Sequence, residues 1–386
     1  MLAASLLLGG ALLTVIYILI GYPLLLARLG RSTSSRRPPV QKDPKYRTTV
    51  TVVLAVYNGE VFLRQKLESL LALDYDHQLL DILVVSDGST DSTEAIAREY
   101  ANRKVELLVC PHAGKAAALN AAFRRATGEL LFFTDVRQPV DRMALAHLVA
   151  NFADPTVGGV TGEMRLFPGE AGEQEDMGLY WRYELWARLR HSEIDSLFNT
   201  TGCIYALRRS LAQPLPEDTL SDDAILPLRA FFGGYRVVFD PAAIAFDYPA
   251  ASGTEFRRRW RNLAGLWQVH ARMPQLFSSA NRMRLHFLPH KFGRLLLPWA
   301  LLVMFGTTMV LPYPISGLLL LGEGAPALLA LVDPWISAKL GPVKRLSSVA
   351  RTFLVMNLAS LVAVTVFFIP AQRLWKPTTV KLPGGK

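Results

Sequence analysis

The sequence predicts an α/β protein with a doubly wound, mainly parallel sheet that is flanked by transmembrane helices. Through the middle of the chain, short apolar segments rich in β-branched residues alternate with segments of helical periodicity. Long apolar stretches lie towards both ends, within residues 2–27 and residues 295–369. Acidic residues follow several of the short apolar segments, where open α/β sheets bind their ligands. We therefore expect one ligand-binding domain attached to a membrane.

The composition indicates that the positively charged residues contact a membrane surface and not nucleic acid. The chain has 386 residues, a formal net charge of +10 and a mean hydropathy of +0.23, which is high for a soluble protein. Its Lys and Arg residues cluster beside the apolar stretches, as cytoplasmic membrane flanks do. The two cysteines, Cys110 and Cys203, are too few for a disulfide framework and suit a reducing compartment. We therefore expect a lipid membrane, and no nucleic acid, among the partners.

Residues 1–27 form the predicted N-terminal transmembrane helix. Their apolar run is long enough to cross a bilayer at ~1.5 Å per residue. No charged segment precedes the run, and it exceeds the ~7–15 apolar residues of a signal peptide, so we expect it to be retained. Basic residues follow directly, at Arg28, Arg31, Arg36 and Arg37. The positive-inside rule then places the next domain at the cytoplasmic face of the plasma membrane, after a Pro-bearing linker at residues 28–47.

Residues 48–252 form the predicted α/β domain. Its strands are expected at residues 48–56, 81–86, 105–109, 130–133, 157–166 and 235–239, with a short strand or strand-like turn at 200–207. Its helices are expected at residues 61–73, 92–101, 116–125, 141–152 and 173–191, with another that begins near Ser221. The regular strand–helix alternation over the first part predicts parallel pairing of the strands.

The C-terminal part of the chain returns to the membrane. Residues 255–270 are basic and aromatic, which is typical of an amphipathic helix on a membrane surface, within an interface region at 253–294. Apolar segments follow at 295–311, 315–332 and 349–369, and residues 370–386 form a basic tail. If all three segments cross, the tail lies outside the cell, whereas its positive charge favours the inside. The sequence leaves open the number of crossings and the side of the tail.

Four acidic residues stand at predicted strand ends: Glu60, Asp87, Asp91 and Asp135. A carboxylate there can accept hydrogen bonds from the N3–H of uracil and from ribose hydroxyls. Helix capping is the favoured interpretation for Asp91, and Asp135 taken alone has the same alternative. Lys115 follows a glycine at a helix start, where backbone N–H groups and its own charge can hold phosphate. The absence of Walker A and GxGxxG motifs counts against a P-loop enzyme and a dinucleotide enzyme.

A series of motifs gives a more specific interpretation. In chain order they are AVYNGE, VVSDGSTD, GKAAALN, FFTDVRQ, TGCIYALRR, SDDAILP and RRRWRN. Their order and spacing, from residue 48 to residue 265, resemble the inverting family 2 glycosyltransferases. The most similar group is the membrane-anchored branch related to cellulose, chitin and hyaluronan synthases. The resemblance implies a GT-A-type fold, a nucleotide-diphospho-sugar donor with a UDP-sugar as first choice, and Mg²⁺ or Mn²⁺.

The resemblance also implies a role for each matching residue. The nucleotide-sugar contacts would come from Tyr57, Glu60, Asp87, Lys115 and Asp135. Asp135 matches the first acid of the DxD motif, which binds the diphosphate through the metal. The acceptor-side residues would be Thr201, Gly202, Cys203, Arg258, Arg259 and Trp260, of which the last three fall near the family's QxxRW motif. Asp223 matches the general base.

Four positions depart from the family pattern. Gly59 stands where the family's YNE motif has its Glu, which leaves only Glu60. Arg137 replaces the second acid of DxD; it could pair with the diphosphate directly, but it would repel a cation, which leaves metal dependence open. The acidic pair reads Asp222-Asp223, so either residue could be the base. Phe256 replaces the Gln of QxxRW, a motif that accompanies processive synthesis. This last change favours transfer of one or a few sugars.

We therefore expect a membrane-bound inverting glycosyltransferase that moves a sugar to a glycan or a lipid-linked acceptor in polysaccharide or cell-envelope biosynthesis. Inversion needs a base for the acceptor hydroxyl and positive charge on the departing diphosphate. Because ionising both Asp222 and Asp223 costs free energy, one pKa should rise, which suits a base. The alternatives are that this pair caps a helix and that Arg258 and Arg259 contact lipid headgroups. Two other functions stay open: a processive synthase that exports its polymer, and a non-catalytic membrane scaffold.

Overall fold

The computed structural model describes residues 2–30, 37–167, 174–248 and 255–374. The predicted boundary at residue 252, part of the linker (residues 31–36) and most of the basic tail (residues 375–386) lie outside these ranges. The strands are β1 Val50–Val56, β2 Leu80–Asp87, β3 Val105–Cys110, β4 Leu130–Phe133, β5 Val157–Leu166, β6 Tyr205–Arg208 and β7 Arg236–Asp247. They form one seven-stranded sheet in the order β3-β2-β1-β4-β6-β5-β7.

The sheet is mainly parallel, as the sequence predicts. Among the described strands, only β6 runs antiparallel to its neighbours β4 and β5. Strand β4, buried at all four residues, lies between β1 and β6 near the centre of the sheet. Strand β7 continues to Asp247, beyond the expected end at residue 239, because it stays paired with β5 through a register shift. The extension brings Asp247 to the loop that follows β4.

Helices cover both faces of the sheet. They are α1 Leu2–Leu29, α2 Glu60–Leu71, α3 Thr93–Glu99, α4 Lys115–Arg125, α5 Ala144–Ala150, α6 Gln174–Ile194, α7 Asp222–Phe232, α8 Glu255–Arg272, α9 Arg284–Phe287, α10 Gly293–Thr308, α11 Ile315–Val332, α12 Gly341–Ala363 and α13 Ala371–Leu374. One face packs on α2, α3 and α5, and the other on α4, α6 and α7. Since both faces are buried, β4 is apolar throughout and β1 has a single polar residue, Thr51.

In the described part of the chain, three helices are long and apolar enough to cross a membrane: Leu2–Leu29, Ile315–Trp335 and Gly341–Phe367. Helix α10 corresponds to the expected segment 295–311, but its 16 residues are short for the ~30 Å hydrocarbon core at ~1.5 Å per residue. Tyr22, in the C-terminal part of α1, ties this helix to the domain, because its hydroxyl is 2.6 Å from Nε2 of buried His191 on α6. His191 therefore has a structural role.

Candidate active site

The loops that follow β1, β2, β3 and β4 meet at one edge of the sheet, because the carboxyl ends of parallel strands lie together. Tyr57 follows β1, and its ring stacks on His112 with centroids 4.2 Å apart and an interplanar angle of 24°. The side chain of His112 is 55% exposed. Two aromatic rings at a loop edge can provide a stacking surface for a base.

Asp87, at the end of β2, organises the neighbouring loop. Its carboxylate accepts hydrogen bonds from the backbone N–H groups of Ala113 (2.8 Å) and Gly114 (3.0 Å), and lies 3.0 Å from Nδ1 of His112. Gly88 has a φ of +65°, and a Cβ there would lie 2.6 Å from the backbone N of His112, so only glycine fits this close approach. Asp87 therefore fixes the loop that carries His112 and begins α4.

Glu60 and Asp91 connect two loops to each other. Glu60 Oε2 accepts a 2.9 Å hydrogen bond from the backbone N–H of Ser92, and the Glu60 N–H donates to Asp91 Oδ2 at 3.0 Å. Asp91 Oδ1 also accepts from the N–H of Thr93, the first residue of α3. The expected capping role of Asp91 is therefore present. Glu60 would have to leave Ser92 before its carboxylate could serve a nucleoside through the same oxygen.

Lys115 lies between two carboxylates at the start of α4. Its Nζ is 3.1 Å from Asp135 Oδ1 and 3.4 Å from Asp222 Oδ1. Burial alone would lower the pKa of this ammonium, but the carboxylates of Asp135 and Asp222 raise it above its ordinary value. Lys115 therefore stays charged. It links Asp135, on the predicted donor side of the site, to Asp222, one of the two candidate general bases.

The two adjacent acids that begin α7 have different surroundings. Asp222 is buried and bonds Lys115, and it accepts a 3.3 Å hydrogen bond from the Tyr205 hydroxyl. Within the described residues, Asp223 has no such side-chain partner, and a Cβ built on Gly202 would lie 3.7 Å from its Oδ2. Burial, followed by the charge of Asp222, raises the pKa of Asp223 to about 7. Asp223 is thus the acid whose carboxylate is both uncommitted and tuned towards neutral pH.

The loop before β6 presents its three residues differently. Thr201 is fixed, since its N–H donates to Thr161 Oγ1 at 2.8 Å and its hydroxyl donates to the Gly162 carbonyl. Gly202 lies opposite Asp223, and a Cβ added to it would make ordinary van der Waals contact with the Asp223 side chain. The Cys203 thiol is buried, and burial raises its pKa above the ordinary value, so it is a core side chain. Of the three, Gly202 is the residue that leaves room for an acceptor.

Arg137 is committed to another part of the fold. Its Nε donates to Asp247 Oδ1 and its Nη2 donates to Asp247 Oδ2, each at 2.9 Å, so the two side chains form a bidentate ion pair. Gln138 Nε2 donates to the same carboxylate at 2.9 Å. Direct contact of Arg137 with a diphosphate, which the sequence allows, would therefore require this pair to open. The paired guanidinium is also a weaker obstacle to a cation than a free one, because Asp247 balances its charge.

The basic run on α8 divides between two environments. Arg259 is buried, with its guanidinium 2.5 Å from the Met356 sulfur on α12, and Trp260 packs in an apolar cluster with Leu263. Arg261 was not singled out from the sequence, yet the charges of Asp135 and Asp223 act on its guanidinium, whose pKa burial lowers. Arg258 lies three residues before Arg261, on the same face of the helix. This spacing was the signal that could have identified Arg261.

A metal would find one suitable carboxylate. Protein sites for Mg²⁺ use one or two carboxylates together with the phosphates of the substrate. The Asp135 side chain is 39% exposed and can serve in this way. No group of three or more His, Cys, Asp or Glu side chains that could hold a metal occurs in the described parts of the chain. Asp135 therefore suits a cation that is bound jointly by this carboxylate and the phosphates of the donor, and not one held by protein ligands alone.

Comparison with known proteins identifies the class. Residues 51–215 match the family model "Glycosyl transferase family 2". The "probable glycosyltransferase YdaM" of Bacillus subtilis (strain 168) is 27% identical over 267 residues, which are 65% of this chain and 63% of that protein. A "poly-beta-1,6-N-acetyl-D-glucosamine synthase" of Staphylococcus aureus (strain COL) is 23% identical over 252 residues, 64% of this chain and 58% of that protein. The chain thus spans less than two thirds of these curated relatives.

One solved structure resembles almost the whole chain. The "mannosyltransferase PcManGT from Pyrobaculum calidifontis in complex with GDP-Man and Mn2+" has a TM-score of 0.73 and 26% identity, over 94% of this chain and 99% of that one. The GT-A-type fold expected from the motifs is therefore confirmed. Residues 51–215 thus match the glycosyl transferase family 2 model, and the chain is similar in sequence and in fold to glycosyltransferases.

Proposed function

We propose that this protein is a membrane-bound inverting glycosyltransferase that transfers a sugar from a nucleotide-diphospho-sugar to a glycan or lipid-linked acceptor, in polysaccharide or cell-envelope synthesis. One arrangement carries the proposal. Lys115 joins Asp135, on the donor side, to Asp222, and Asp223 stands beside them with a raised pKa. A cation for the leaving group and a base for the acceptor thus lie in one site, as inversion requires.

On the donor side, the nucleobase would stack against Tyr57 and His112, whose rings already stack on each other at the loop edge. Asp87 would act mainly by holding this loop, since loop backbone groups and His112 already engage its carboxylate. Lys115 and Arg261 would place positive charge near the diphosphate. Asp135 would hold a Mg²⁺ or Mn²⁺ ion together with the phosphates, and such an ion would neutralise charge on the leaving group.

On the acceptor side, Asp223 would take the proton of the acceptor hydroxyl. The hydroxyl oxygen then forms a bond to the anomeric carbon while the bond from that carbon to the diphosphate oxygen breaks on the opposite face. Gly202, which has no side chain and lies beside this carboxylate, would let the acceptor sugar approach it. Asp222 would pair with Lys115, and its charge would help to raise the pKa of Asp223.

The relatives support two donor classes. The similarity to a poly-beta-1,6-N-acetyl-D-glucosamine synthase favours a UDP-sugar, which the motifs also imply. The similarity to a mannosyltransferase solved with GDP-Man makes a GDP-sugar the second candidate. The stacked rings of Tyr57 and His112 would accept either uracil or guanine, because aromatic stacking tolerates different nucleobases.

A binding screen tests the donor class and the metal together. Purified full-length protein in detergent would be titrated with UDP- and GDP-sugars, with and without Mn²⁺. We expect one nucleotide class to bind, with a higher affinity when Mn²⁺ is present. A Lys115→Met variant should lose most of this affinity, whereas Asp74→Asn, at an exposed acid just after the C-terminal end of α2, should keep it. Absence of binding by any nucleotide-sugar would instead favour a membrane scaffold.

A further inference from the structure

Lys66 is a buried charged residue for which the proposed reaction has no direct use. It lies on α2 and is fully buried. Its Nζ donates hydrogen bonds of 2.5 Å to Thr134 Oγ1 and of 2.5 Å to the Gln138 carbonyl oxygen. These acceptors stand at the two ends of the five-residue loop that carries Asp135 and Arg137. Lys66 therefore holds this donor loop, residues 134–138, at both ends.

Within the described residues, the Lys66 ammonium has no carboxylate at ion-pair distance. Burial lowers its pKa to about 7, although the charge of Asp135 acts in the opposite direction. Placing such a group in the interior is costly, and an apolar residue of similar size often suits such a position better. Its neighbours on the buried side of α2 are Leu63, Leu67 and Leu70. An amine in this leucine-lined position is therefore explained by its hydrogen bonds and not by packing.

The hydrogen bonds continue from the donor loop to the acceptor loop. The Thr134 hydroxyl, which accepts from Lys66, donates in turn to the carbonyl oxygen of Cys203 at 2.8 Å. Cys203 directly follows Gly202, the residue that lies opposite Asp223. Nζ of Lys66, Oγ1 of Thr134 and the Cys203 carbonyl thus form a buried chain between the two loops. The far end of the donor loop is fixed separately, since Gln138 and Arg137 both bond Asp247.

We propose that Lys66 is a positioning residue that keeps the donor loop in register with the acceptor loop, acting through the Thr134 hydroxyl. The inference rests on the proposed glycosyl transfer. In that reaction the distance between the donor's anomeric carbon and the acceptor hydroxyl depends on the relative placement of Asp135 and Gly202. Because small misplacements of reacting groups cost about 100-fold in rate, the buried chain would control turnover more than nucleotide affinity.

The test compares Lys66→Met, Thr134→Val and their combination in the full-length protein. Each single variant should lower kcat at least tenfold, while the dissociation constant for the nucleoside diphosphate changes less than threefold. Since both changes break one chain, the double variant should be no slower than the slower single variant. Thr134→Ser, which keeps the hydroxyl, should restore most of the rate. Thr51→Val is the matched control, because Thr51 is a buried hydroxyl in β1 that, among the described residues, accepts from the Gly128 N–H and contacts neither loop of the proposed chain.

Three results would overturn this inference. The first is a folded Lys66→Met protein with wild-type kcat. The second is equal loss of rate in Thr134→Ser and Thr134→Val, and the third is multiplicative losses in the double variant. If Lys66→Met does not fold, the comparison of Thr134→Val with Thr134→Ser decides the question. A wild-type protein that binds no nucleotide and transfers no sugar would refute the proposed function itself, which is a separate outcome.

Discussion

Asp222 and Asp223 are neighbours in sequence, yet the contacts of their carboxylates differ and indicate different roles. The carboxylate of Asp222 is engaged by Lys115 and by the Tyr205 hydroxyl, whereas that of Asp223 faces the space beside Gly202. The pattern of two adjacent acids predicts that one pKa rises; at Asp223 burial, and after it the charge of Asp222, raises the pKa. Choosing between them was beyond the sequence, since the choice depends on Lys115, more than a hundred residues earlier in the chain.

The pH dependence of activity follows from the raised pKa of Asp223. A general base acts in its ionised form, so kcat/KM should rise with pH up to a plateau above a midpoint of about 7. Asp222→Asn removes a charge that helps to raise this pKa, and its midpoint should therefore fall. Rate profiles between pH 5 and 9 measure both midpoints. An unchanged midpoint in Asp222→Asn would contradict this coupling.

Stability should change with pH in the opposite direction. The folded-state pKa of Asp223 lies above its unfolded value, so the native state binds an extra proton between about pH 4 and about pH 7. The contribution of Asp223 to stability is therefore lost as pH rises through this window. Asp223→Asn should raise the apparent Tm at pH 8 while abolishing transfer, with little effect on Tm at pH 4. Thermal unfolding of both proteins at the two pH values tests this, and a lower Tm for the variant at pH 8 would refute it.

At the scale of elements, strand ends could be predicted better than the contacts between distant elements. The positions of Asp87, Asp135 and Lys115 at one edge follow from strand–helix alternation alone, because parallel strands end together. The partner of Arg137 could not be predicted, since Asp247 lies on a strand that continues past its expected end. Lys66 was overlooked for another reason: a lysine on an amphipathic helix is normally exposed. Asp247 and Lys66, the two residues that the sequence did not indicate, both hold the loop that carries Asp135.

The Arg137–Asp247 pair should be a stability element of that loop. Asp247 has a side chain that is only 3% exposed, so Arg137→Ala would leave its charge uncompensated. Removing one partner of such a pair costs about 3 kcal/mol, and the partial exposure of Arg137 reduces that cost. Arg137→Asp, which restores the second acid of DxD, should destabilise further through repulsion. Tm values of the two variants decide this, and an Arg137→Asp protein as stable as wild type would show that the pair is unimportant.

At the scale of the whole molecule, the helices bear on the topology that the sequence leaves open. Two C-terminal helices, Ile315–Trp335 and Gly341–Phe367, are long enough to cross, whereas α10 is short. With the N-terminal helix ending inside, two further crossings return the chain to the cytoplasmic side. The positive tail then obeys the positive-inside rule. We propose this arrangement, with α10 and α8 at the membrane interface.

Cysteine labelling tests the side of the tail. A cysteine introduced as Thr378→Cys, in a Cys110→Ser/Cys203→Ala background, should resist a membrane-impermeant maleimide in intact cells and react after permeabilisation. Tyr313→Cys, between α10 and α11, is the matched position, because its side chain is 86% exposed and the two-crossing arrangement also places it inside. Labelling of residue 378 in intact cells would mean an odd number of C-terminal crossings.

The central claim is that one site transfers a sugar with inversion and that Asp223 is its base. The most direct measurement is the anomeric configuration of the product formed by the purified protein from its preferred nucleotide-sugar, followed by NMR. For an α-linked donor we predict a β-linked product. We also predict a loss of about 10²–10⁴-fold in kcat for Asp223→Asn and a smaller loss for Asp222→Asn. A product that retains the donor's configuration, or an Asp223→Asn protein with wild-type turnover, would contradict the account.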